Sequence, residues 1–199
     1  MARPRKSDNK ISAYERIEEA FWTMLSEMPY SKITVSGLSK RAKVNHNLIY
    51  YYFENINEMA EKLFQANISE GLPQQFIGTL LNGNLDTHAF MNSPRQMKHI
   101  MRMRLFMRDD SAYLNGIAKR TIMTEWAASA NLSLDELTEA ERIDLNFIFS
   151  GIVSILGSKQ FENDPHAAAG FITRPIGQGI IDTLKNLDKK NRNRKVAVR

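Results

Sequence analysis

The chain is predicted to be all-α, on three observations. Helix-opening caps recur along its 199 residues, apolar residues return at helical spacing, and alternating runs of Val, Ile and Thr are scarce. With 43% apolar residues against 25% charged, there is apolar surface enough for a sizeable core, which excludes a chain disordered throughout.

The elements follow in order. Ser12 and Glu15 spell a capping box, and Ile11, Tyr14, Ile17, Phe21, Met24, Leu25 and Met28 recur at helical spacing as far as Pro29. Thr34 caps a short second helix reaching about Ala42, Asn45 caps a third through Tyr52, and Asn55 with Glu58 starts a fourth. Looser composition between Gly71 and Ser93, with Pro73, Gly78 and Gly83, separates a small domain over 1–70 from a larger one over 71–187. In the larger domain Ser93, Pro94 and Gln96 open a helix to about Arg108, and Asp110 opens another to about Ala130. Thr138 and Glu141 open a long one through Phe161. Asp164 and Pro165 open the last, which Pro175 is expected to kink or interrupt. Residues 188–199 are expected to form a disordered basic tail.

Composition excludes several classes of function. Without cysteine there is no disulfide framework, thiol nucleophile or thiolate metal site, which suits a reducing compartment and a cytoplasmic protein. The basic opening Met1–Lys6 runs into polar residues rather than a secretory apolar core. The apolar stretch 147–156 carries Ser150, Gly151 and Ser154 and is roughly half as long as a membrane span requires. His46, His88, His99 and His166 have no paired metal-ligand spacing, no Walker loop or Gly-x-Ser-x-Gly occurs, and Gly177-x-Gly179 lacks the rest of a dinucleotide fingerprint. The chain is therefore expected to be neither an enzyme nor a holder of metal or cofactor.

Charge is uneven. Residues 1–62 carry ten basic and eight acidic side chains, 63–184 carry ten and thirteen, and 185–199 carry seven and one. Within the first segment, 31–53 holds Lys32, Lys40, Arg41 and Lys43 with no acid, a balance that favours a polyanion. The same stretch reads ITVSGLSKRAKVNHNLIYYYF over 33–53. Two short helices joined by a tight turn can lay the second in a DNA major groove while the first braces it. Leu38, Ala42 and Val44 would be buried and Leu48, Ile49 and Phe53 would anchor the second helix, leaving Asn45, His46, Asn47 and Tyr51 at the surface. Asn can pair bidentately with adenine, His can reach a base edge or a phosphate, and a Tyr hydroxyl donates to phosphate oxygen. Tyr50, Tyr51 and Tyr52 lie about 100° apart on a helix, so they cannot all face inward.

Thr34, Val35, Ala42, Val44, Tyr50, Tyr52 and Phe53, followed by Glu58, resemble the DNA-binding domain of the TetR family of bacterial transcriptional repressors. The resemblance covers Ile11–Leu63; the remainder agrees in length and helical layout. It implies an N-terminal three-helix helix-turn-helix domain that binds double-stranded DNA, with Thr34, Ser36, Lys43, Asn45, His46, Asn47, Tyr50, Tyr51 and Tyr52 as candidate contacts. Two departures stand out. Lys43 occupies the position of the usual turn glycine, a cost if the residue needs positive φ. Ile56 replaces a lysine that commonly meets phosphate, a contact Lys43, Lys32, Arg3, Arg5 or Lys6 would have to replace.

The resemblance also implies a helical effector-binding and dimerisation domain, whose last two long helices pair with their copies in a homodimer. Ile143, Phe147, Ile148, Ile152, Ile155 and Leu156 form a broad apolar face, with Gly151 and Gly157 permitting close approach. The candidate interface is Phe147, Gly151, Ile155, Ile180 and Leu184; an intramolecular core is the other assignment. For a small-molecule effector the candidate lining is Met97, Met101, Arg104, Arg108, Tyr113, Trp126 and Phe149, most of which also suit ordinary core. Arg104 or Arg108 would point into a Met-lined cavity and meet an anionic effector or a buried acid; alternatively they pair with Asp109, Asp110 or Glu125. The alternative function is a nonspecific or architectural DNA-binding protein acting through the basic tail from Lys185 to Arg199.

Overall fold

The computed structural model describes residues 11–71, 92–108, 110–130, 132–166 and 170–197. The segment with Pro73, Gly78 and Gly83, His88, the basic Arg3, Arg5 and Lys6, and Asp109 lie outside them. The protein is all-α, as expected, with no strand among the described residues. It forms two compact units that divide between Ala60 and Glu61.

In the first unit, α1 (Ala13–Glu27) is opened by the expected capping box: the Glu15 amide donates to Ser12 Oγ at 3.1 Å and the Ser12 amide to Glu15 Oε2 at 2.6 Å. Its apolar stripe buries Ile17, Phe21, Met24 and Leu25. Ile11, expected on that stripe, is 64% exposed because it precedes the cap. After a one-turn 3-10 helix at Tyr30–Lys32 come α2 (Val35–Ala42) and α3 (His46–Tyr52). The fourth helix, α4 (Ile56–Gly71), is started by Asn55, whose Oδ1 accepts from the Glu58 amide at 2.9 Å.

The second unit continues α4 from Glu61 and adds α5 (Pro94–Met107), α6 (Ala112–Ser129), α7 (Glu139–Gly157), α8 (Lys159–Asn163) and α9 (Pro175–Ala197). Ser93 caps α5, accepting from the Gln96 amide at 3.5 Å. The expected return bond is not made, since Gln96 Oε1 is buried without a partner among the described residues. Ser111, not Asp110, caps α6, accepting from the Leu114 amide at 3.2 Å. Thr138 and Glu141 close the expected box on α7. That helix stops at Gly157 rather than Phe161, and Ser158 caps α8. A Cβ on Gly157 would stand 1.8 Å from the Met107 carbonyl oxygen, so the glycine lets the ends of α7 and α5 meet backbone to backbone.

Two expectations at the C-terminal end are corrected. The last helix opens at Pro175, its first residue, and not at Asp164 and Pro165; Pro175 thus interrupts rather than kinks, and its missing N–H would have no intrahelical partner there anyway. Residues 188–197 are not a disordered tail but continue α9. Ile181, Leu184, Leu187 and Asn191 recur at helical spacing on a buried face, Arg192 pairs with Asp188 one turn back at 3.0 Å, and Lys190 Nζ donates to Glu141 Oε1 on α7 at 2.6 Å. The main core of the unit joins Trp126 and Ala127 of α6, Leu145, Ile148 and Phe149 of α7, and Leu184 and Leu187 of α9.

A polar pair is sealed between α4 and α5. The Asn67 amide nitrogen donates to the His99 carbonyl oxygen at 3.0 Å, and His99 Nδ1 lies 2.9 Å from Asn67 Oδ1. The amide oxygen can only accept, so Nδ1 carries the proton. Burial lowers the His99 pKa from 6.5, the nearby Arg102, Arg95 and Lys98 lower it further, and Glu70 opposes them.

Two outcomes are expected. Gly157→Ala should lower stability by about 1–3 kcal/mol through forced overpacking, read by chemical denaturation. His99 should remain neutral in the fold below pH 6.5 while the unfolded chain takes up a proton. Its contribution to stability is therefore complete above that pH and falls as the medium is acidified below it. Denaturation midpoints of His99→Gln against the parent over that window should show the slope reduced.

Candidate nucleic-acid interface

The site is built on α2, the turn after it, and α3. Thr34 caps α2, its hydroxyl accepting from the Gly37 amide at 3.1 Å, and Asn45 caps α3, its Oδ1 accepting from the Asn47 amide at 2.9 Å. Each cap is worth about 1 kcal/mol. Between them Lys43 takes φ 54° and ψ 48°, the left-handed conformation that its glycine-like position demands. It is the non-glycine residue with positive φ among the described residues. The Val44 amide donates to the Ser39 carbonyl oxygen at 3.1 Å and Ser39 Oγ to the Val44 carbonyl oxygen at 2.7 Å, closing the turn.

What is buried holds the pair of helices in place. Leu38 and Ala42 of α2, Ile49 of α3 and Phe53 are 0–4% exposed, as the spacing predicts; Val44 and Leu48 are half-buried. A Cβ on Gly37 would sit 3.0 Å from Met24 Cε, so α2 approaches α1 closely there. Arg41 makes a two-point ion pair with Glu27 of α1, and that hydrogen bonding holds the Glu27 carboxyl below its ordinary range. Tyr30 donates to Asn57 Oδ1 at 2.7 Å, tying the 3-10 turn to the start of α4. Gly37, the Arg41–Glu27 pair and the Tyr30–Asn57 bond carried no periodic signal, because each joins elements far apart in sequence.

What is left outside is largely the expected set. Ser36, Lys43, Asn45, His46 and Asn47 are exposed, Tyr50 is 52% exposed and Tyr51 79%. Tyr50 packs against His46 with ring centroids 5.6 Å apart. Tyr52 differs: half-buried, it meets Tyr14 of α1 edge-on at 5.4 Å and abuts Phe53. It braces α3 on α1 and is removed from the freely exposed set. Thr34 is exposed, but its oxygen is engaged in the cap. Of the acid-free basic stretch, Arg41 is spent on Glu27 while Lys32, Lys40 and Lys43 are exposed. Ile56 is half-buried at the start of α4.

The residues assigned to an effector do not all gather in one place. Met97 and Met101 pack on a cluster of Ile100 and Phe161. Trp126 and Phe149 lie in the main core, ring centroids 5.9 Å apart. Tyr113 is 41% exposed and donates to Glu61 at 3.4 Å. Arg104 is buried and pairs with Glu162, and Arg108 pairs with Asp110 at 3.1 Å. An open groove of about 560 Å³ runs between α4 and α6, bordered by Glu61, Gln65, Arg120 and Thr124 over Ile117; none of the seven lines it. For the dimer, Phe147 is 77% and Ile143 60% exposed, Gly151 is exposed and has open space around it, and Ile155 and Ile180 are half-buried. Leu184 is corrected to the intramolecular core, because it sits on the face of α9 that covers α6 and α7.

Among the described residues no cluster of three His, Asp or Glu side chains could hold a metal ion, and no helix is long and apolar enough to cross a membrane. Compared with known proteins, the chain matches no family model and no curated protein.

Lys43 in a left-handed turn leads to a direct expectation. Lys43→Gly should stabilise the protein by about 1 kcal/mol by removing the steric cost of a Cβ there, visible as a raised denaturation midpoint.

Proposed function

We propose that the chain is a sequence-specific, DNA-binding transcriptional regulator of the TetR type, a homodimeric repressor released from its operator by a small-molecule effector. One observation carries the reading: the N-terminal end and outer face of α3 expose Asn45, His46, Asn47, Tyr50 and Tyr51 together, while its other face is anchored by Ile49. Tyr, with an apolar ring and a polar hydroxyl, is a side chain enriched at binding surfaces. Here the two tyrosines share α3 with amide side chains suited to base edges, and Lys32, Lys40 and Lys43 of the same acid-free stretch are exposed and suit phosphates. Asn47 would read bases, and Tyr51 and the lysines would fix register on the backbone.

Dimerisation is supported by α7. Ile143, Phe147, Ser150, Gly151 and Ser154 recur at helical spacing and are all exposed, and Ile176 at the start of α9 is 77% exposed. A second copy of the same face would remove these apolar groups from water, and the small residues would let the helices approach. The architectural reading through the tail is weakened, since residues 188–197 belong to a helix on which Asn191 is buried.

In-vitro selection of random duplex DNA by the full-length protein at physiological ionic strength should recover an inverted repeat, its half-sites about one helical turn, roughly 10 bp, apart. Asn47→Ala should relax base preference at defined positions, Tyr51→Phe should weaken binding alike on all sequences and Phe147→Glu should yield monomers in sedimentation and lose roughly tenfold or more in affinity. Folded protein that retains DNA without enriching any motif would refute sequence-specific recognition.

A further inference from the structure

We propose that Arg104 is the anchor of an anion-binding site, that Glu162 is its resident and displaceable partner, and that the ligand is a monocarboxylate with an apolar body. As the identity of an effector this rests on the regulatory reading above; as a binding site it does not.

The argument begins with an imbalance of burial. The Arg104 side chain, on α5, is 9% exposed, whereas that of Glu162, on α8, is 58% exposed. A guanidinium out of water demands acceptors, because a buried charge without a partner costs several kcal/mol. Arg104 receives less than it can take. Its Nη2 donates to Glu162 Oε2 at 2.5 Å, while its Nε is buried and meets no acceptor among the described residues. Nε and Nη2 share one edge of the guanidinium, the edge on which a carboxylate makes two parallel hydrogen bonds. Glu162, tethered to the short α8, uses half of that edge. A carboxylate with no backbone tether can span both donors.

Exchange is favoured over simple opening. If Glu162 left alone, Arg104 would remain buried and uncompensated; if a ligand carboxylate takes its place, charge balance is kept and Glu162, already largely in water, completes its hydration. Arg108 offers no such imbalance, since its side chain and that of Asp110 are exposed to similar degrees, 25% and 30%.

The neighbourhood specifies the rest of the ligand. Met101, Ile100 and Met97 lie one to two turns before Arg104 on the same helix and share its face. Ile100 and Phe161, the residue beside Glu162, form a small apolar cluster with Met97, Met101 and Leu156 packed against it. Met97 and Met101 are only half-buried, and unbranched thioether chains repack around a guest at little cost. A carboxylate on Arg104 would therefore lead its apolar chain along methionine.

Calorimetric titration of the full-length protein with sodium octanoate tests this, with octan-1-ol as the uncharged control and inorganic phosphate as the bare anion. Octanoate should bind, the other two at least about tenfold more weakly. Glu162→Gln, a change at an exposed residue, should tighten octanoate about tenfold by removing the competitor, and Arg104→Lys, which keeps the charge but loses the two-donor edge, should weaken it about tenfold or more. Circular dichroism establishes that each variant is folded. Failure of octanoate to bind, octanol binding as tightly, phosphate binding in preference, or Glu162→Gln leaving affinity unchanged or lowered would each overturn the proposal, and the last needs no substitution in the interior. The titration contains no DNA, so a failed search for an operator leaves it intact. Octanoate that binds as expected yet does not release the selected DNA would uphold the site and refute its role as the effector site.

Discussion

The surface presented by the first unit depends on one backbone reversal, the left-handed residue Lys43. At φ 54° it turns the chain sharply enough for α3 to fold back, so that Ile49 and Phe53 enter the same core as Leu38 and Ala42 of α2. A side chain in that conformation costs about 1–2 kcal/mol, and full burial of an Ile or Phe returns about 1.5–3 kcal/mol each, so the turn is affordable without glycine. The reversal also decides what cannot be buried. With Ile49 committed inward, the helical period sends Asn47, Tyr50 and Tyr51 outward, and Tyr52 sideways onto Tyr14.

Polar groups play a second structural part in the larger unit, where each joins two helices. Asn67 and His99 join α4 to α5, Glu141 and Lys190 join α7 to α9, and Arg104 and Glu162 join α5 to α8. They differ in how completely the buried partner is satisfied. Asn67 uses both ends of its amide, and Glu141 both caps its own helix and receives Lys190. Arg104 alone of these three buried groups keeps a buried donor without an acceptor, which is why that pair, rather than the other two, is open to exchange.

Much of this was legible in the residues. The capping boxes at Ser12 and Thr138, the caps at Thr34, Asn45 and Ser93, and the inward set Leu38, Ala42, Ile49 and Phe53 are local, set by chemistry within one or two helical turns, and they stand as expected. Helix ends were read less well. The long helix expected through Phe161 ends four residues earlier, at Gly157, where its backbone meets the Met107 carbonyl across space. Charge suggests a disordered basic tail over 188–199, but the helix runs on through it to Ala197 with Asn191 buried.

By itself, the sequence determined the all-α class, the positions of the caps, and which residue types on α3 suit a polyanion, because these follow from spacing and side-chain chemistry over a few residues. Tertiary structure alone decided which of three consecutive tyrosines is spent on packing, that Leu184 faces its own core, that the seven residues assigned to one pocket are divided between the main core, the Ile100–Phe161 cluster and the surface, and that Arg104 finds its acid on α8. Each of these depends on which distant helix arrives at a given face. That is settled by the mutual burial of whole helices, a property no short window of sequence contains.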